Sequence, residues 1–252
     1  VQMHMVSRSD PARYTYAGPV FRKQEYDETR ANEFLQVGFE IFDGKKPCAA
    51  DADVFAAISG ALKGLPLRAS TGDLGVLTAA VQGLRTTDAC KAALTRHIWR
   101  PRRFRALLDR FGGRTPPPPS RVALLASQDP FVDAGPAVGL RSREEVEARL
   151  DVLRADAAAA PISSEELALI DGLLNVREKS PYALSALRDI AVDMPAIGPA
   201  VSTLDARLDA LTKRGIDVDT LDFEASYGRT SLEYYDGFVF GFAAIDRPDL
   251  PP

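Results

Sequence analysis

An amide and a carboxylate, Gln36 and Glu40, stand four residues apart with a glycine midway between them at position 38. These three positions alternate with the apolar residues Leu35, Val37, Phe39 and Ile41. A period of two predicts a β-strand on which one face packs while the other presents its polar groups together. A carboxylate with an amide neighbour can bind an ammonium group, and a glycine between them leaves room for a ligand.

A second strand is predicted just before this one. Residues 14–21 are aromatic and β-branched, and a polar, charged stretch from residue 22 to residue 32 separates them from the next strand. The pattern therefore predicts an antiparallel hairpin with a long connection, in which Arg22 follows the first strand directly.

The hairpin resembles a known nucleotide-binding motif. Gly18-Pro19-Val20-Phe21-Arg22, followed by Phe34-Leu35-Gln36-Val37-Gly38-Phe39-Glu40, is similar to motif 2 of class II aminoacyl-tRNA synthetases in its histidyl form. The resemblance implies that Arg22 contacts the α-phosphate of ATP. It also implies that Gln36 and Glu40 bind the ammonium group of an amino acid. Without that resemblance, the better explanation is that Glu40 is an exposed strand carboxylate and Arg22 a solvated loop cation.

A second resemblance lies near the other end of the chain. Leu232-Glu233-Tyr234-Tyr235-Asp236-Gly237-Phe238-Val239-Phe240 is similar to the histidine-specific motif of the same family, whose tyrosines line the imidazole pocket. The resemblance implies such a role for Tyr234 and Tyr235. Adjacent strand residues point to opposite faces, so at most one of the two faces the pocket, and we favour Tyr235.

The order of the predicted elements is strands, a helical middle and strands again. Apolar residues recur at helical spacing in 51–62, 74–111 and 141–214, whereas the proline-rich stretch 112–120 is a linker or surface loop. We predict an α+β fold: a class II aminoacyl-tRNA synthetase-like antiparallel sheet flanked by helices, with a helical insertion. Residues 1–111 form the first part of the core, 112–198 the mainly helical insertion or linker, and 199–252 the return to the core sheet. The hairpin and the last strands are expected to share that sheet.

Helix boundaries follow from capping residues. Asp51 or Asp53 is expected to cap the first helix, and Ser142 and Ser163 precede acidic residues that suit a helix start. A helix from residue 199 is expected to stop near Gly215. Residues 67–73 are predicted as a short strand ending in Thr71-Gly72-Asp73, a weaker match to the same family.

Several residues depart from the synthetase pattern where chemistry would occur. Thr230 stands where synthetases carry an arginine that stabilises the adenylation transition state, and Arg229 lies one residue early. Gln24 replaces a glutamate, and Gly241 replaces the acid after Val-Phe. These departures resemble the regulatory-subunit family of ATP phosphoribosyltransferase. Motif 1 and motif 3 are not present in the chain. The resemblance implies that they would precede residue 1 and follow residue 252, so we expect either that the chain is a fragment or that the given sequence omits parts of a longer protein.

That resemblance implies a non-catalytic, cytoplasmic regulator of the first step of histidine biosynthesis. The protein would activate the short-form catalytic subunit and contribute to histidine feedback control, and the full-length protein would form a dimer. Gln36, Glu40, Tyr234 and Tyr235 would then form a histidine-like pocket and Arg22 an anion-binding remnant, with no catalytic residue. Two alternatives stay open: a catalytic-core fragment of a histidyl-tRNA synthetase, and a ligand-free scaffold of the same fold.

The composition narrows the choice of partners. The net charge of -4 and the pI of 5.4 disfavour non-specific binding of nucleic acid and leave a local basic patch open. The resemblance to the regulatory-subunit family implies that no tRNA is bound. The two cysteines are far apart and belong to no CxxC motif, which predicts neither a disulfide nor a metal site. No cofactor and no membrane segment are predicted.

Overall fold

A computed structural model of the protein describes residues 11–21, 31–132, 134–136, 138–229 and 236–246. The chain forms two compact units. The first, here called the hairpin unit, comprises Val1–Arg68, Thr203–Leu221 and Phe242–Pro252, and the second, the helical unit, comprises Ala69–Ser202 and Asp222–Gly241. These units do not follow the predicted boundaries at residues 112 and 198, and the roles assigned to those segments stay predictions.

The hairpin unit begins with the two predicted strands. Strand β1 (Ala12–Phe21) pairs antiparallel with β2 (Glu33–Phe42), and the register places Gly18 opposite Gln36 and Tyr14 opposite Glu40. Both strand predictions are confirmed. Directly opposed residues share a face of an antiparallel pair, so the polar positions of β2 lie beside alternate residues of β1.

The burial of the hairpin differs from the expectation. Leu35 and Val37, predicted to pack, are each 72% exposed, and Phe21 on the same face is 71% exposed. Farther from the connection, Phe39 and Ile41 are half-buried. The prediction that the apolar face packs is therefore wrong for the part of the hairpin nearest the connection.

Helix α1 (Pro47–Ala61) begins earlier than predicted. A proline at its first position suits a helix start because its missing N–H would have no partner there. The residue before it, Lys46, makes no side-chain capping bond. The expectation that Asp51 or Asp53 caps this helix is wrong, because both lie inside it.

The two aspartates instead hold other segments of the hairpin unit. Arg13 of β1 binds Oδ2 of Asp53 at 2.7 Å, and Arg214 binds the other oxygen of the same carboxylate. The buried guanidinium of Arg207 donates to Asp51 at 2.8 Å. Arg207 lies on the last helix, α9 (Gly198–Lys213), which ends just before Gly215 at φ 78° as predicted. Helix α1 thus joins β1 to a segment more than 150 residues later.

The helical unit contains most of a four-stranded sheet in the order β4-β5-β3-β6. Its strands are β3 (Leu67–Asp73), β4 (Arg177–Lys179), β5 (Asp222–Glu224) and β6 (Phe238–Ala244). Strand β5 runs parallel to β3 and antiparallel to β4. The hairpin strands form a separate two-stranded sheet in the described part of the chain. The expectation that the hairpin and the last strand share one antiparallel sheet is therefore wrong for these strands.

Helices supply the core of the helical unit. They are α2 (Leu74–Gly83), α3 (Asp88–Arg96), α4 (Pro101–Phe111), α5 (Pro119–Ala126), α6 (Arg143–Ala158), α7 (Ser164–Leu174) and α8 (Ser180–Asp193), with a 3₁₀ turn at Pro195–Ile197. Fully buried side chains include Leu77, Leu94, Leu108, Ile170 and Leu187. Burial of such aliphatic side chains stabilises a core by roughly 1.5–3 kcal/mol each.

The predicted caps of two helices are confirmed. Ser142 and Ser163 each form a capping box with the glutamate three residues later, at the starts of α6 and α7. Glu166, the partner of Ser163, is buried and also accepts a hydrogen bond from the Arg85 N–H at 2.8 Å. The short strand β4 was not predicted.

No helix within the described residues is both long and apolar enough to cross a membrane. The same part of the chain contains no group of three or more histidine, cysteine, aspartate or glutamate side chains arranged to hold a metal ion.

We expect Asp53→Asn to lower the free energy of unfolding by about 1–2 kcal/mol, because it weakens two charge-assisted hydrogen bonds whose arginines are partly exposed. Urea unfolding measures the loss. Asp209→Asn is the matched control, since Asp209 is exposed on α9 and has no partner among the described residues. An equal loss in both variants would contradict a special role for Asp53.

The difference between wild type and Asp53→Asn should also depend on pH. The hydrogen bond from Arg214 lowers the pKa of Asp53 below its ordinary value of 3.8, against the opposing effect of partial burial. The stabilisation is therefore fully present above pH 3.8 and disappears as the pH falls through the lowered pKa. Unfolding curves of the two proteins should converge in that acidic range.

Candidate amino-acid site on the hairpin

The structure places two of the predicted site residues on one strand face. Gln36 and Glu40 lie on the same face of β2, on either side of Gly38. Glu40 is exposed and Gln36 is half-buried. Arg22, Tyr234 and Tyr235 lie outside the described residues, so their assignment to a pocket stays a prediction.

The space above Gly38 is filled by an aromatic ring of the hairpin itself. Tyr16 lies directly opposite Gly38, and a Cβ at that glycine would lie 2.1 Å from Cζ of Tyr16. The Gln36 side-chain N–H donates to the Tyr16 hydroxyl at 2.8 Å. The prediction that Gly38 leaves open room for a ligand is therefore wrong in this conformation.

The distance between Gln36 and Glu40 shows why the space above Gly38 decides whether a ligand can bind. Four residues of strand separate the Cα atoms of Gln36 and Glu40 by about 13 Å. An ammonium group bound by both side chains must therefore lie between them, above Gly38, where the Tyr16 ring sits. A ligand can occupy the site only if Tyr16 turns outward, and this side chain is 43% exposed and lies at the protein surface.

Sequence reasoning missed Tyr16 as a site residue. The signal was available, because aromatic residues often cover a glycine directly across an antiparallel pair. Using it required the register of the hairpin, which the long connection between the strands does not fix. With Tyr16 included, the face offers a phenol, an amide and a carboxylate, which can accept and donate hydrogen bonds but provide no nucleophile paired with a base.

The weaker motif at the end of β3 has a structural role in the helical unit. The Thr71 hydroxyl donates to the carbonyl of Asp222 at 2.9 Å. A Cβ on Gly72 would lie 2.8 Å from both the Glu224 carbonyl and Cβ of Tyr227, so only glycine fits without a shift. Asp73 accepts the Gly75 N–H at 2.8 Å and caps α2. These contacts join β3 to the segment that leads into the second predicted motif.

Arg229 points into the helical unit. It is 5% exposed, donates from Nε to the Ile98 carbonyl at 2.8 Å, and stacks over the Phe104 ring at 4.9 Å. Burial, with a smaller effect of Arg105, lowers its pKa to about 10. The side chain therefore stays charged at neutral pH, and its Nη2 has no hydrogen-bond partner among the described residues.

Solved structures with the same fold define the class of protein. The chain is similar to an ATP phosphoribosyltransferase regulatory subunit/histidyl-tRNA synthetase from Bacillus halodurans, with a TM-score of 0.58 and 19% identity over 94% of this chain and 49% of that one. It is also similar to histidyl-tRNA synthetase from Nostoc sp. PCC 7120, with a TM-score of 0.55 and 14% identity over 98% of this chain and 47% of that one. These likenesses show the class II synthetase-like fold, and the predicted fold class is confirmed.

Sequence comparison gives the family. The family model described as Histidyl-tRNA synthetase matches residues 1–127, and the chain belongs to that family. Curated relatives from Brucella ovis and Brucella abortus are each 28% identical over 93% of this chain, and both are named ATP phosphoribosyltransferase regulatory subunit. The chain spans 66% of the length of these relatives.

We expect Gly38→Ala to displace the Tyr16 ring and break its hydrogen bond with Gln36, because the added methyl group would overlap the ring. The Gln36 side-chain amide signal in an NMR spectrum should shift toward its solvent-exposed position. Gly18→Ala is the matched control. Gly18 lies on the same face of the hairpin as Gly38, but a Cβ at Gly18 would have no atom within 4 Å. An unchanged Gln36 signal in Gly38→Ala would contradict the observed ring position.

Proposed function

We propose that the protein is a regulatory, non-catalytic subunit of ATP phosphoribosyltransferase, the enzyme of the first step of histidine biosynthesis. The observation that carries the proposal is the similarity of 93% of this chain to relatives that bear that name. The synthetase family match supports the scaffold but not aminoacylation, because the shared fold accommodates both functions.

Two side chains are used differently from the synthetase pattern, which supports a regulatory role. Gln36, which binds the amino acid in the synthetase pattern, is bonded to Tyr16, whose ring covers Gly38. The cation nearest in sequence to the synthetase arginine position, Arg229, is committed to the Ile98 carbonyl and the Phe104 ring. Both arrangements favour a protein that has kept the synthetase-like fold but no longer uses these residues to bind and activate an amino acid.

The partner is the short-form catalytic subunit, and the full-length protein forms a dimer. Histidine is the candidate ligand of the hairpin face, held by Gln36 and Glu40. A feedback effect requires that histidine bind the active and inhibited states with different affinities. Tyr16 covers the face in the described conformation, and histidine binding would require its ring to turn outward, so the ring can link ligand binding to a change of conformation.

Mixing the protein with a short-form catalytic subunit should raise phosphoribosyltransferase activity and give a hetero-oligomer by light scattering. Histidine should then lower the activity of the mixture. Unchanged activity together with separate elution of the two proteins would overturn the proposal.

We expect Glu40→Ala to weaken histidine binding at least tenfold in calorimetry, because the carboxylate supplies the charge opposite the ammonium group. Glu33→Ala is the matched control, since Glu33 is exposed on the same strand but on its opposite face. No heat in wild type or in either variant would favour a ligand-free scaffold.

The synthetase alternative makes a different prediction. A catalytic-core fragment of a histidyl-tRNA synthetase would exchange pyrophosphate with ATP in a histidine-dependent manner. We expect no such exchange, and its observation would replace the regulatory proposal.

A further inference from the structure

Four exposed arginines surround the turn between α3 and α4. They are Arg96, Arg100, Arg102 and Arg103, and together they are called the arginine surface. The eight residues from 96 to 103 contain these four cations and no acidic residue, although the whole chain carries a net charge of -4. Arg96, Arg102 and Arg103 form no ion pair with any described residue. The positive charge of these three arginines is therefore local, and no ion pair balances it within the helical unit as described.

Three of the four arginines act electrostatically on one histidine, His97. Burial lowers the pKa of His97, and the charges of Arg103, Arg100 and Arg96 lower it further. The imidazole is therefore neutral near pH 7 and adds no charge of its own. Its Nδ1 is buried and has no hydrogen-bond partner among the described residues.

The arginines also occupy an unfavourable position on the helix. Arg102 and Arg103 lie in the first turn of α4, which begins at Pro101 without a side-chain cap and without an acidic residue. The N-terminal end of a helix carries partial positive charge, so cations there destabilise it. Two glutamates at these positions would suit the helix better, yet the chain has arginines.

A rigid support fixes this surface. Ile98, Phe104 and Leu108 are buried beneath it. Arg229 binds the Ile98 carbonyl and stacks on Phe104 from within, which adds a fifth cation below the turn. Arg105, on the same helix, is instead paired with Asp171. Within this surface, Arg96, Arg102 and Arg103 therefore present positive charges that form no ion pair in the described part of the chain.

The exposed arrangement suits a large partner better than a small ligand. A cavity of 490 Å³ includes Arg96 in its lining but none of the other three arginines. Small ligands bind in concave pockets, whereas exposed arginines with a planar fork bind carboxylates across protein interfaces. Nucleic acid fits less well, because it needs an extended row of phosphate contacts and would meet the negative remainder of this acidic chain.

We propose that the arginine surface docks a carboxylate-rich face of a protein partner, which is the catalytic subunit of ATP phosphoribosyltransferase. The identity of that partner rests on the proposed function. Charges of this kind speed association and select the partner, so their removal acts strongly on the rate of binding.

The double variant Arg102→Glu and Arg103→Glu tests the proposal. The association rate constant with the catalytic subunit, measured by surface plasmon resonance, should fall at least tenfold and should become less sensitive to salt. The melting temperature of the free variant should stay the same or rise by roughly 2–4 °C, because glutamates suit the helix start. Loss of binding with gain of stability would exclude unfolding as the cause.

Arg141→Glu with Arg149→Glu is the matched control. Both residues are exposed in the helical unit and the substitution changes the net charge by the same amount. The control should bind as wild type does. Equal binding by the Arg102/Arg103 variant and wild type would overturn the arginine surface while leaving the proposed function intact.

Two further outcomes separate the remaining possibilities. Absence of any complex between wild type and the catalytic subunit would overturn the proposed function and this partner together. Binding of a 20-nucleotide RNA by wild type but not by the Arg102/Arg103 variant would overturn the protein partner in favour of a nucleic acid.

Discussion

The hairpin unit depends on one electrostatic constraint, the pair of carboxylates on α1. Asp53 binds Arg13 and Arg214 at once, and Asp51 holds the buried Arg207. A buried arginine needs such a partner because an unpaired buried charge is costly. These ion pairs tie β1 and α9 to one helix, and so set where the hairpin lies within its unit.

The same hairpin shows how one register decides what a polar face can bind. Because Tyr16 stands opposite Gly38, its ring fills the only position from which Gln36 and Glu40 could share an ammonium group. A shift of one residue would place Thr15 or Ala17 opposite Gly38 instead of Tyr16, and neither carries an aromatic ring. The closed face is therefore a property of strand pairing and not of the residues that the synthetase pattern contains.

Local patterns predicted much of the fold, and long-range contacts account for the rest. The period of two located β2, and Ser142 and Ser163 marked two helix starts, because those signals are carried by neighbouring residues. The capping role predicted for Asp51 or Asp53 was wrong, since a carboxylate that could cap a helix can equally pair with arginines about 160 residues away in the sequence. The strand order β4-β5-β3-β6 could not be read from the sequence either, as it depends on which distant segments meet.

The hairpin and the arginine surface differ in whether their polar groups have partners within the chain. On the hairpin, the Gln36 amide donates to the neighbouring phenol of Tyr16, so the hydrogen-bonding capacity of that amide is used internally. At the start of α4, cations are left without internal carboxylates among the described residues, at the helix end that tolerates them least. One rotamer of Tyr16 is enough to cover the polar face of the hairpin. The charges of the arginines, in contrast, can be neutralised only by negative charge from outside the described residues. The Gln36 amide is therefore satisfied within the hairpin, whereas the arginines at the start of α4 remain available to carboxylates outside the described residues.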